Sequence, residues 1–286
     1  MTQYNWQIAC AASANILSKP TMFNLQPQTD STTGQWKIIL EKIVAPSPTG
    51  CLPRPRLEAL LNQSLRSCSA TVLSGRAGSG KTTLAIAFSE KSARSVAWYK
   101  VDAPESKLEV FFGYLISSIR AQRPAFGGYA LLSLLQPDPD LSQISHLAEV
   151  FVFELERYSD TPLLLVIEDL HLVCDADWVV PFFTRLLPLL PADVHLLITS
   201  RTLPPAPLWR MRSKQTLSVI DEETLSFTRD EAIRLYEQYG LSREQASIAF
   251  DHSHGRAAAL SSLAATLHFA ETELMKEVPA QQFKVG

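Results

Sequence analysis

Eight consecutive residues, Gly75-Arg76-Ala77-Gly78-Ser79-Gly80-Lys81-Thr82, fit the pattern G-x-x-x-x-G-K-[ST] at every fixed position. Glycines at this spacing let the backbone curl so that successive N–H groups point inward at phosphate oxygens. A helix starting there adds about half a positive charge. Lys81 is placed to reach the β- and γ-phosphates of a nucleoside triphosphate, and the Thr82 hydroxyl is a candidate Mg²⁺ ligand. Thr83, next in the chain, is counted with the nucleotide-binding residues. The flanks agree with this chemistry. Ala70-Thr71-Val72-Leu73-Ser74 reads as a β-strand and the run from Thr82 to about Ala93 as a helix, so the glycines fall at a strand-to-helix turn.

Phosphate chemistry with a metal ion needs carboxylates. Pro162-Leu163-Leu164-Leu165-Val166-Ile167-Glu168-Asp169 supplies two, at the end of an apolar run that reads as a strand buried on both faces. In P-loop proteins such a strand delivers one carboxylate to the Mg²⁺ shell, and a second orients or deprotonates an attacking water. Glu168 is the metal-side acid in this reading and Asp169 the candidate base. A third apolar strand, Val194 to Ser200, runs into Arg201. Open α/β sheets bind ligands beyond the C-terminal ends of their strands, which makes Arg201 a candidate γ-phosphate contact. A surface arginine closing a strand is the equally weighted alternative.

The elements that must position these groups read as α/β and then as α. Leu108, Phe111, Phe112, Leu115 and Ile119 recur at helical spacing, as do Ile144, Leu147, Ala148, Phe151 and Leu155. Between them, Pro124 to Asp140 carries Gly127-Gly128 and Pro137-Asp138-Pro139-Asp140 and reads as a surface loop. From Thr228 the strands stop. Thr228-Arg229-Asp230-Glu231 and Ser242-Arg243-Glu244-Gln245 are capping boxes, Gly240 ends the helix between them, and a third helix is expected from about Arg256 to Ala270. His252 and His254 sit at a helix end, where dipole and capping roles suit them better than metal ligation.

Composition sets outer limits. The 286 residues are 46% apolar and 19% charged, enough for a sizeable core in one large or two moderate domains. A net charge of −3 lacks the basic excess expected of a nucleic-acid surface, and only Arg210, Arg212 and Lys214 cluster. Cys10, Cys51, Cys68 and Cys174 show no ligand spacing, which points to reduced thiols and a cytoplasmic setting. No run approaches the ~20 apolar residues of a membrane span, and no membrane partner is expected. Residues 1–42 begin with a Gln-, Asn-, Ser- and Thr-rich stretch that reads as a poorly ordered or partner-contacting arm.

Taken in order, several motifs resemble the nucleotide-binding unit of the signal-transduction ATPases called STAND, in the branch of large LuxR-type regulators. They are Leu52-Pro53-Arg54-Pro55-Arg56-Leu57, Gly75 to Thr83 and Ala97-Trp98-Tyr99-Lys100-Val101-Asp102. Then follow Leu165-Val166-Ile167-Glu168-Asp169-Leu170-His171, Leu197-Ile198-Thr199-Ser200-Arg201, Leu208-Trp209-Arg210-Met211-Arg212 and Gly255-Arg256-Ala257-Ala258-Ala259-Leu260. The resemblance spans roughly Ile43 to Leu267. It implies a three-layer P-loop sandwich with a parallel sheet over 43–223, followed by a small all-α domain over 224–286. It also implies an ATP/ADP switch with slow hydrolysis, in which ADP holds a closed form and ATP favours self-association. Arg54 and Arg56 would lie near the adenine, the Gly255 segment would face the nucleotide, and His171 would either bond a carboxylate or serve only the fold.

One departure is chemical. The family usually has aspartate where this chain has Glu168, and the added methylene moves the carboxylate by about one C–C bond, roughly 1.5 Å. Near-octahedral Mg²⁺ tolerates such displacement poorly, so hydrolysis is expected to be slow while binding survives. The family places a winged helix, a superhelical sensor and a DNA-binding helix-turn-helix after the helical domain, and none is complete by Gly286. The expectation for these residues is therefore self-association, or action through a separate output or sensor partner, without direct DNA binding. A catalytic P-loop ATPase or kinase is the alternative.

Overall fold

The computed structural model describes residues 38–47, 51–135, 141–158 and 161–277. Most of the expected N-terminal arm, and the Pro137-Asp138-Pro139-Asp140 tract, lie outside the described residues. Helix α1 (Pro55–Ser67) leads into β1 (Ala70–Ser74), the glycine loop and α2 (Lys81–Lys91). Strand β2 (Ser95–Lys100) is followed by α3 (Leu108–Arg120), α4 (Tyr129–Ser133) and α5 (Ile144–Arg157), then β3 (Leu163–Glu168), α6 (Val179–Leu186) and β4 (Val194–Ser200). Short α7 (Ala206–Trp209), β5 (Leu217–Ile220) and α8 (Glu222–Leu225) lead into the helical set α9 (Arg229–Gln238), α10 (Arg243–Ser253) and α11 (Ala257–Glu277).

The five strands form one parallel sheet in the order β2-β3-β4-β1-β5. Strands β1, β3 and β4 are buried at every residue, which is why they read as unbroken apolar runs and not as alternation. Side chains still alternate between the faces. Leu165 and Ile167 enter a large core with Phe111, Phe112, Phe151, Trp178 and Phe182, whereas Leu164, Val166 and Trp98 enter a smaller one with Leu57, Leu61, Leu84 and Phe88. Helices on both faces thus make the expected three layers.

The helical set has its own core of Ala232, Leu235, Tyr236, Ala246, Ala249, Leu260 and Ala264. Both capping boxes form as expected, and Gly240 takes φ +73 beyond the end of α9. Two expectations change. The 124–140 stretch is not simply surface loop: Phe126 and Leu131 are fully buried, and their burial stabilises the turn-and-a-half of α4. Helix α11 runs past Ala270 to Glu277, because Glu271 to Glu277 is rich in good helix formers and no proline lies between Ala257 and Glu277. Within residues 38–42, Lys42 ends a short 3-10 turn and pairs with buried Glu105, tying this segment to the sheet domain.

Candidate functional site

Parallel strands end together, and here their C-terminal ends bring the candidate residues to one rim of the sheet. Ser74 pairs with Ser200 in register, and the Gly75 N–H donates to the Ser200 carbonyl at 3.1 Å. The glycine loop and the Arg201 segment therefore leave the sheet side by side. Gly78 and Gly80 adopt φ +80 and +90, the left-handed region that favours glycine. Lys81, only 7% exposed, curls back over the loop and donates to the Gly75 carbonyl at 2.5 Å, the Arg76 carbonyl at 3.0 Å and Ser79 Oγ at 3.4 Å. Burial pulls the Lys81 pKa down, while the charge of Asp169 opposes that shift.

No ion pair to Lys81 occurs within 4 Å among the described residues. A buried cation with only neutral partners, inside a loop with two left-handed glycines at a helix N-terminus, fits an anion such as a phosphate. A carboxylate adjoins it. The Thr82 hydroxyl donates to Glu168 Oε1 at 2.6 Å, and the Trp98 indole N–H donates to Glu168 Oε2 at 3.3 Å. Having given its hydrogen to Glu168, the Thr82 oxygen keeps its lone pairs for a cation, so the donor set also fits Mg²⁺.

Asp169 takes φ 59, which is unusual for a residue other than glycine but best tolerated by Asp and Asn. Its N–H donates to Thr199 Oγ1 at 3.0 Å, so the middle strand β4 helps hold the acid in this turn. His171 Nδ1 lies 3.8 Å from Asp169 Oδ1 and, although that atom is buried, has no hydrogen-bond partner among the described residues. Burial lowers the His171 pKa, Asp169 opposes this, and the positive charges of Arg201 and Lys81 add to it. Arg201 itself is exposed. Thr83 is exposed on the first turn of α2.

The remaining candidates have other immediate partners. Arg54 donates to the Leu225 and Ser226 carbonyls at 2.8 and 2.9 Å and to Glu231 Oε2 at 2.8 Å, with its guanidinium 4.1 Å from the Phe227 ring centroid. Arg56 donates to the Thr224 and Ser226 carbonyls at 2.8 and 3.0 Å. Both arginines thus tie the start of α1 to the α8–α9 junction. Gly255, at φ +76, packs on Phe227: a Cβ there would fall 2.4 Å from the Phe227 carbonyl oxygen. The residues after Gly255 reach the loop instead. Arg256 donates to the Ala77 carbonyl at 2.8 Å, and the Ala258 N–H donates to the Gly78 carbonyl at 2.9 Å.

Four residues at the rim make contacts that the sequence does not disclose, three of them within the motifs quoted above. Glu222 accepts from the Arg76 backbone N–H and from Arg76 Nε, each at 2.8 Å, and these bonds hold its carboxyl below the usual range. Trp98, Thr199 and Ala258 are the others. The cluster Asp221-Glu222-Glu223 after a strand was an available signal for the first. A buried indole or an alanine N–H leaves no comparable trace in sequence.

A family model described as AAA ATPase domain matches residues 54–199. The HTH-type transcriptional regulator MalT of Yersinia pestis (strain Pestoides F) is 32% identical over 170 residues, which are 58% of this chain and 18% of the regulator. MalT of Serratia proteamaculans (strain 568) is 31% identical over 171 residues, with the same coverage of each chain. The chain thus matches only about a fifth of these relatives' length. Among solved structures, the signal transduction ATPase with numerous domains (STAND) protein with a tetratricopeptide repeat sensor from Pyrococcus horikoshii shares the fold. Its TM-score is 0.54 at 16% identity, covering 82% of this chain and 34% of that one. The glycine loop, the acidic strand end and the five-stranded parallel sheet agree with these matches, and the chain belongs to the AAA ATPase domain family, with its ATPase region similar to that of the MalT regulators.

Proposed function

We propose that this chain is an ATP/ADP-binding switch of a STAND-type signalling or transcription regulator, with slow ATP hydrolysis controlling conformation and self-association. The observation that carries the reading is the buried Lys81, held by neutral oxygens inside the glycine loop and next to the Thr82–Glu168 pair. The loop N–H groups and Lys81 hold the β- and γ-phosphates, and Thr82 with Glu168 holds Mg²⁺. The metal, when bound, neutralises charge on the phosphate oxygens. Asp169 stands beside this pair as the base or water-orienting group, and Arg201 meets the γ-phosphate from the end of β4.

The switch reading draws on the contact between the glycine loop and the helical set. Nucleotide seated in the loop alters the surface on which Arg256 and Ala258 rest, and so biases the arrangement of the two parts. Glu168 in place of the usual aspartate suits a protein whose occupancy matters more than its turnover. Calorimetric titration with ATP and ADP in the presence of Mg²⁺ tests the site. Lys81→Ala is expected to lose most of the affinity, and unchanged binding would remove the assignment. Rapid turnover without any change in assembly would favour a catalytic ATPase or kinase over a switch.

A further inference from the structure

The Glu168 carboxylate is almost fully buried, 4% exposed, and both of its oxygens are engaged. Oε1 accepts from the Thr82 hydroxyl, and Oε2 accepts from the indole of Trp98 on the neighbouring strand β2. Register explains how the indole reaches. Trp98 pairs with Val166 and Lys100 with Glu168, so Trp98 stands on the same face as Glu168 and two residues behind it. The indole body fills the core formed with Leu84, Phe88, Leu164 and Val166, which fixes its direction, and its N–H emerges at the rim.

We propose that Trp98 is a positioning residue for the metal-side carboxylate. It holds the glutamate, one methylene longer than an aspartate, so that the other oxygen stays on Thr82. The inference rests on the nucleotide and Mg²⁺ reading above. A glutamate side chain has one more rotatable bond than an aspartate, and with a single donor its carboxylate could swing away from Thr82. The second donor removes that freedom, because a bond to a charged acceptor is worth more than one between neutral groups. An indole N–H is a donor only, so Trp98 offers no lone pair that would compete for a cation. Its role is to orient Glu168 and, through Glu168, the Thr82 oxygen.

The full chain tests this in a double-mutant cycle. ATP is titrated calorimetrically in EDTA and in excess Mg²⁺ against the native chain, Trp98→Phe, Glu168→Asp and the double variant. The readout is the gain in affinity that Mg²⁺ confers. Trp98→Phe is expected to cut that gain about tenfold while leaving affinity in EDTA unchanged, in line with the loss of one hydrogen bond to a charged group. In the Glu168→Asp background, where the carboxylate is too short to reach the indole, the same substitution is expected to change the gain less than about twofold. Equal losses in both backgrounds, or no loss with Glu168 present, overturn the proposal. If the native chain binds no ATP even in excess Mg²⁺, the nucleotide reading falls and takes this proposal with it.

A second measurement does not depend on the folding of Trp98→Phe. In protein labelled with ¹⁵N-tryptophan, Glu168→Asp is expected to move one of the indole N–H resonances of the five tryptophans. Superimposable indole spectra would show that no such bond exists in solution and overturn the proposal.

Discussion

The backbone N–H of Ala258 donates to the carbonyl of Gly78 at 2.9 Å, so the first turn of the last helix rests directly on the phosphate-cradling loop. The approach is close because Gly78 has no side chain: a Cβ there would come 2.8 Å from Ala258 Cβ. Gly78→Ala therefore carries two penalties, a clash and a left-handed backbone at φ +80, the latter costing about 1 kcal/mol. Thermal unfolding should show a clear loss for Gly78→Ala, and adding Ala258→Gly should recover the part due to the clash. No recovery would mean that the two residues are not in contact in solution.

Asp169→Asn should separate binding from turnover. Asparagine tolerates the left-handed turn at φ 59, and the backbone bond to Thr199 Oγ1 does not involve the side chain, so the rim keeps its shape. An amide, however, cannot take a proton from water. Phosphate release in a single turnover is expected to slow roughly 100-fold, the usual weight of a general base, with ATP affinity retained. Normal release would place the base elsewhere.

Much of this rim was legible in sequence because its parts are local. The strand, glycines and helix lie within about twenty residues, and the acidic pair directly ends its own strand. Thr228–Glu231 and Ser242–Gln245 were equally readable, since a capping box is closed within three residues. What sequence did not disclose depends on register between strands or on contacts across the whole domain. Trp98 meets Glu168 only because β2 and β3 pair as they do, and Ala258 meets Gly78 across 180 positions. Arg54 shows the same limit from the other side. The resemblance implies a place near the adenine for it, and what no motif discloses is that its guanidinium has three oxygen partners at the α8–α9 junction.

The Arg54–Glu231 pair is expected to be a point of stability. Arg54 is 8% and Glu231 2% exposed, and breaking a buried pair leaves a charge without its partner. Arg54→Met should cost about 3 kcal/mol, read by denaturant unfolding. Burial alone would raise the Glu231 pKa, but the bonds from Arg54 and Thr228 outweigh it and hold the carboxyl below its ordinary value. A carboxyl lowered in the fold contributes stability above its unfolded pKa and loses it as pH falls through the folded one. Native protein should therefore lose stability on acidification below about pH 4.5 more steeply than Glu231→Gln does. Parallel curves would assign the acid sensitivity to other groups.

Arg201 gives the proposed switch its most direct test. It leaves β4 beside the glycine loop, and its positive charge bears on Lys81 together with burial, while Asp169 opposes them. Two cations facing one site without an anion repel, and a γ-phosphate relieves that repulsion more fully than the shorter chain of ADP. The two nucleotides then differ at the loop against which Arg256 and Ala258 are packed, and a difference in contacts is what a population shift requires. ADP is expected to hold the closed arrangement and ATP to open it. In a cysteine-free background, dyes on exposed Ser145 of α5 and Glu244 of α10 would report the change by fluorescence transfer, with scattering as the independent check. Arg201→Ala should make the ATP and ADP signals converge while both nucleotides still bind. Identical transfer for ATP and ADP in the native chain would leave a static nucleotide-binding domain and remove the reason to call it a switch.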